Sequence, residues 1–166
     1  MEYREKDVAE YIYNFCRENG LEVEFQEVDG PRKNVIAYLK GEGTGKTLMF
    51  NGHMDTVPPY NMVIEPFGAE VKDGYIWGRG TSDMKGPIAS MLIAMLAIKR
   101  SNYKMKGNII FTGVLGEEEQ SDGTEVLVKS GIKADGAIVG EPSNYEYALG
   151  HRGLEWIEIK IKGKAA

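Results

Sequence analysis

Three apolar runs in the sequence end on groups that could bind a cation or move a proton. T-L-M-F-N-G-H-M-D closes on His53 and Asp55, I-I-F-T-G-V-L-G-E-E-E on Glu117, Glu118 and Glu119, and G-A-I-V-G-E-P on Glu141. A fourth candidate, Asp83, follows the glycine-rich W-G-R-G-T-S and directly precedes an apolar helical run. Adjacent carboxylates repel, and burial raises their pKa further, so a folded chain holds such a cluster on a wetted surface or beside a cation. In sheets fed by crossover helices the carboxyl ends of the strands line the ligand crevice, which would bring these groups to one edge. One imidazole among several carboxylates there has the composition of a metal site.

Each piece alone has a plainer reading. His53 could be a hydrogen-bonded histidine beside a turn, and Asp83 a helix N-cap with Pro87 in the first turn. Glu117 to Glu119 could be a solvated loop leading to a helix near Asp122, and Glu141-Pro142 an ordinary strand end. Four such coincidences at one edge are less economical than one metal. On an extended segment successive side chains point to opposite sides, so neighbouring glutamates would divide the labour. One would ligate, and the other would take a proton from a water whose pKa the metal lowers from about 15.7 to about 7. Asp55, two residues past His53, suits holding the imidazole in its ligating tautomer.

The elements that must position these groups can be read from periodicity. Val8, Ile12, Phe15 and Cys16 share one helical face, predicting a helix over 3–19 that ends at Asn19-Gly20 and buries Cys16. Strands are predicted over 21–28, 34–40 and 47–53, and a hairpin over 69–77 turns at Asp73-Gly74. The run 87–100 is apolar nearly all round, predicting a buried helix, and ends in Lys99 and Arg100, which complement a helix C-terminus. A strand over 107–115, a helix near 123–130 and a strand over 135–139 complete a βαβ rhythm. The expected fold is α/β, a mixed and largely parallel sheet with helices on both faces. The tail over 152–166 returns to strand-like alternation. It stops mid-pattern, as a piece of a longer chain would.

G-E-G-T-G-K-T, residues 41–47, has a superficial likeness to a phosphate-binding loop. Counting back from Gly45-Lys46-Thr47 puts Lys40 where the first glycine of that motif belongs, and a strand rather than a helix follows. It is expected to be a hairpin loop.

Bulk properties narrow the partners. With 25 acidic against 20 basic residues, a net charge of -5 and no basic block, nothing marks a nucleic-acid footprint. A hydrophobic content of 42% can fill one core, yet no apolar run approaches the roughly 20 residues that span a bilayer. The lone Cys16 cannot form an intrachain disulfide, and the N-terminus lacks a secretory pattern. The expectation is a cytoplasmic protein acting on a small molecule, without nucleic-acid or membrane partners.

N-G-H-M-D-T-V-P, G-R-G-T-S-D-M-K-G, G-E-E-E and G-E-P-S occur in that order. In this the chain resembles the dinuclear zinc hydrolases that include acetylornithine deacetylase, succinyl-diaminopimelate desuccinylase, aminoacylase and glutamate carboxypeptidase. The resemblance implies that His53 and Glu141 bind one metal, Asp83 bridges both ions, and Glu118 binds the second. Glu117 would be the general base, Asp55 would orient His53, and Asp83-Met84 would be a cis peptide. Gly116 stands where relatives often carry Asp, and Glu119 is an extra acid; counting back from Gly123-Thr124 favours Glu117 as base. Two divalent ions are implied, zinc first, with cobalt and manganese chemically possible. The family's distant C-terminal histidine, which completes the second site, has no counterpart, since only His53 and His151 are present and His151 reads as structural or exposed. The implied activity is hydrolysis of the amide of an N-acyl amino acid or short peptide by a protein that is a homodimer at full length. The resemblance also implies a catalytic domain over 1–151 and, over 152–166, the first strand of an incomplete α+β lid and dimerisation domain, so that this chain alone would bind one ion well and catalyse poorly. A non-catalytic metal module, a di- or carboxypeptidase of the same family, and an interaction protein with a wet acidic loop are the alternatives.

Overall fold

The computed structural model describes residues 5–60, 62–147, 149–150, 153, 157 and 159–164. A five-stranded sheet carries the architecture. Its strands are β1 (Glu22–Asp29), β2 (Arg32–Leu39), β3 (Thr47–His53), β6 (Asn108–Val114) and β7 (Gly136–Val139), in the spatial order β1-β2-β6-β3-β7. The hairpin of β4 (Glu70–Lys72) and β5 (Tyr75–Trp77) stands apart, with Asp73 and Gly74 both at positive φ as its turn requires. β3 runs parallel to both β6 and β7, whereas β2 is antiparallel to both β1 and β6. Four of the five strands therefore point one way, and the sheet is mixed but largely parallel, as the sequence pattern implies.

Alternation on the central strands separates two apolar layers. Val35, Ala37 and Phe111 pack with α1 (Glu5–Glu18) and α2 (Gly86–Arg100), while Ile36, Ile110 and Val114 pack with Leu127 of α3 (Asp122–Lys129). Helices thus cover both faces. Cys16 is fully buried on the α1 side.

Two expectations need correction. α2 is not buried all round: Ile88, Met91, Leu92, Met95 and Leu96 face the core, but Ile93 is 56% exposed on the opposite side. One helix face is all that a sheet can cover. The 41–47 segment is not a hairpin loop, because β6 lies between β2 and β3. It instead crosses the start of β6, and the N–H groups of Glu42, Thr44 and Gly45 donate to the carbonyls of Met105 and Lys106. Those amides serve the backbone and leave no cradle for phosphate.

In the tail, none of the described residues from 153 to 164 belongs to a strand, and Ile157, Ile159 and Ile161 are exposed. His151, Leu154 and Trp156 lie outside the described residues.

Candidate metal centre

β6, β3 and β7 are adjacent and parallel, so their carboxyl ends share one edge. There β3 delivers His53, the segment after β6 delivers Glu117 and Glu118, and the segment after β7 delivers Glu141. Asp83 arrives from the turn that enters α2. That turn lies close to the sheet because Gly52 and Gly140 have no side chain: a Cβ on Gly52 would come within 2.8 Å of Met84 Cε, and one on Gly140 within 2.8 Å of Pro87 Cβ. The Asp83–Met84 peptide is cis. Asp83 does not cap α2, whose N-cap is Lys85 without a side-chain hydrogen bond. Its carboxylate points at the imidazole instead.

The His53 ring is 2% exposed and is ringed by acids. Its Nε2 lies 2.8 Å from Asp83 Oδ1, 3.4 Å from Glu141 Oε2 and 3.8 Å from Glu117 Oε2. Candidate ligand atoms of His53, Asp83 and Glu118 all fall within 4.8 Å of one another. On the other ring nitrogen, Nδ1 is 3.1 Å from the Asp55 carbonyl oxygen and 3.5 Å from Asp55 Oδ1. All six residues singled out in the sequence therefore converge, while the extra acid Glu119 is exposed and outside the ligand group.

The glutamates reach this place by a route the sequence pattern did not suggest. They lie on a tight turn, not an extended segment: the N–H groups of Glu119, Gln120 and Ser121 all donate to the Gly116 carbonyl, at 3.2, 3.1 and 2.6 Å. Pleating cannot separate their side chains, and the turn does so in its place. Asp55 also does more than face His53. Its Oδ1 accepts the N–H of Glu117 at 3.2 Å and its Oδ2 the N–H of Glu118 at 2.9 Å, so one carboxylate touches both halves of the site.

Electrostatics favour a cation here. Burial opposes charging His53, but the hydrogen bond and charge of Asp55, the hydrogen bond to Asp83 and the charge of Glu117 outweigh it and push the imidazole up to about 9. Burial raises Glu118 and Glu141, and the negative charge of Asp83 adds to both. Burial would raise Asp55 as well, yet its hydrogen bonds to His53 and to the Glu118 N–H hold it below the usual carboxylate range. A borderline imidazole surrounded by hard oxygen donors is a ligand set that divalent zinc, cobalt or manganese accepts. The residues present thus fit a metal ion.

Further residues that were not singled out from the sequence support the site. Met84 Sδ accepts the His53 N–H at 3.2 Å. Lys85 is half-buried, and burial depresses its ammonium against the opposing pull of Asp55. Only their position beside Asp83 in the D-M-K run could have pointed to them.

Comparison with known proteins identifies the family. The family model for peptidase family M20/M25/M40 matches residues 49–162. A probable succinyl-diaminopimelate desuccinylase of Staphylococcus epidermidis is 34% identical over 167 residues, covering 98% of this chain and 41% of that protein. An N-formyl-4-amino-5-aminomethyl-2-methylpyrimidine deformylase of Halalkalibacterium halodurans is 36% identical over 161 residues, covering 93% of this chain and 38% of that protein. Among solved structures, a tripeptidase of Staphylococcus aureus superposes with a TM-score of 0.67 at 26% identity, over 82% of this chain and 38% of that one. The chain belongs to the peptidase M20/M25/M40 family, a family of hydrolases. It spans about two fifths of the length of the curated relatives it matches.

Proposed function

We propose that the protein is a metal-dependent amidohydrolase that cleaves the amide of N-acyl amino acids or short peptides, with Glu117 as general base. The observation that carries the reading is His53 Nε2 facing Asp83, Glu141 and Glu117 at 2.8, 3.4 and 3.8 Å, with Glu118 in the same ligand group. His53, Asp83, Glu118 and Glu141 would hold divalent ions, zinc foremost. Such ions supply Lewis-acid polarisation of the scissile carbonyl and acidify a water. Glu117, half-exposed at the mouth of the group, would accept a proton from that water and deliver it to the departing amine. Asp55 fixes the imidazole through Nδ1 and leaves Nε2 directed at the acids.

The relatives' names, a desuccinylase, a deformylase and a tripeptidase, have in common the removal of an amide-linked group. That supports the reaction class and leaves the acyl group undecided between a small acid and a peptide. The remaining proposals are a catalytic domain over 1–151, a start of a lid or dimerisation domain over 152–166, a homodimer at full length and a cytoplasmic location. No helix among the described residues is long and apolar enough to cross a membrane.

The test compares wild type with Glu117→Gln in the full-length protein, using N-succinyl, N-acetyl and N-formyl amines and tripeptides as substrates. Hydrolysis should fall by about 100-fold or more while zinc stoichiometry stays the same. Equal loss of metal and activity would make Glu117 a ligand, an unchanged rate would remove it as the general base, and zinc binding by a wild type that hydrolyses none of these substrates would favour the reading as a non-catalytic metal module.

A further inference from the structure

Asn34 is an amide placed where the fold would ordinarily put a hydrocarbon. It sits on β2 between Arg32 and Ile36 on the side that packs toward α3, and it is 0% exposed. A buried amide with unused hydrogen-bonding capacity is costly, and a leucine would avoid the cost. Asn34 avoids it by bonding fully. Its Nδ2 donates to the Gly123 carbonyl at 2.8 Å and to Gln26 Oε1, its cross-strand neighbour, at 2.8 Å, while its Oδ1 accepts the Leu115 N–H at 3.2 Å.

Two of these bonds fall on the two ends of one turn. Leu115 immediately precedes Gly116-Glu117-Glu118, and Gly123 is where the chain re-enters a helix; the Gly123 N–H itself donates back to the Leu115 carbonyl at 3.2 Å. The seam is close enough to require glycine, since a Cβ on Gly123 would come within 2.6 Å of Asn34 Oδ1. Two residues before Asn34, Arg32 pairs with Asp122 and, at 3.3 Å, with Glu5, so β2 grips the far end of the turn a second time.

We infer that Asn34 is a positioning residue that fixes both ends of the 115–123 turn and thereby sets where Glu117 and Glu118 stand relative to His53. It complements Asp55, which holds the middle of the same turn through the N–H groups of Glu117 and Glu118. Asp55 binds from the site side and Asn34 from the core side. The significance of the turn rests on the metal-hydrolase reading; the way the turn is held does not.

The experiment compares Asn34→Leu with Ile36→Ala, a core variant on the same strand and face, under conditions of equal unfolding free energy. Hydrogen–deuterium exchange across 115–123 and zinc titration by calorimetry are read on both. Asn34→Leu should speed exchange in 115–123 about tenfold beyond the control and weaken zinc binding about tenfold, the size expected when support behind a metal ligand is lost. Ile36→Ala should leave zinc affinity unchanged. If the two variants match in both readouts, Asn34 contributes only core stability and the inference fails. If wild type binds no zinc, the metal reading fails, and the exchange comparison still decides the role of Asn34. Should Asn34→Leu not fold, Asn34→Ser, whose hydroxyl is too short to reach both ends, enters the same comparison.

Discussion

The Asp55 carboxylate accepts the backbone N–H of Glu118 at 2.9 Å, which makes the acid beside the buried histidine also the anchor of the glutamate turn. With the Glu117 N–H on its other oxygen, Asp55 receives two charge-assisted hydrogen bonds. Asp55→Ala leaves both N–H groups without that acceptor, and the metal-free chain should lose about 2–4 kcal/mol of stability. Urea unfolding followed by circular dichroism measures this. A loss below about 1 kcal/mol would mean that the turn finds other acceptors and does not depend on Asp55.

The raised pKa of His53 gives a pH dependence of definite sign. Its folded value of about 9 lies above the ordinary imidazole value of 6.5, so the stability that the charged ring contributes to the metal-free chain is fully present below about pH 6.5. It is lost as pH rises through about 9. A metal needs the neutral ring and must displace that proton, so zinc affinity should climb steadily from pH 6.5 and level off near 9. Calorimetry at pH 7 in two buffers of different ionisation heat should return about one proton released per ion. Zero release would mean either that the ring is already neutral at pH 7 or that the metal sits away from His53, and His53→Ala, which removes the affinity only in the first case, separates the two.

Much of the fold was legible because its signals are local. The heptad-like face of Val8, Ile12, Phe15 and Cys16 marked α1, and the β3, β6 and β7 runs each ended on the residues that do meet at one edge. The geometry of the glutamate segment was not legible, since whether 117–120 extends or turns depends on the Gly116 carbonyl collecting three N–H groups. Nor was the insertion of β6 between β2 and β3, which is a pairing choice between distant segments that no local pattern records. Asn34 reads as an unremarkable polar residue at a strand start until its distant partners Leu115 and Gly123 are placed beside it.

Cys16 supplies a probe of the α1 layer. It is 0% exposed, and burial pushes its thiol up to about 11, so almost no thiolate forms near neutrality. Labelling by a thiol reagent at pH 7.5 should proceed about 100-fold slower in the folded chain than in urea, and only through opening. Fast labelling without denaturant would show that α1 does not stay docked on Val35 and Ala37.

The register of the three glutamates can be read directly from metal binding. Glu118 offers a ligand atom within 4.8 Å of those of His53 and Asp83, whereas Glu119 is exposed and its N–H is tied to Gly116. Glu118→Gln keeps the side-chain shape but removes the charge that a divalent ion would neutralise, so zinc affinity should fall about tenfold or more. Removing that charge also relieves the repulsion with Asp83, so the metal-free variant should be at least as stable as wild type. Glu119→Gln should change neither quantity. Titration of both variants beside wild type decides between them: a loss of affinity at Glu119 with none at Glu118 would shift the register by one residue and make Glu118 the candidate base.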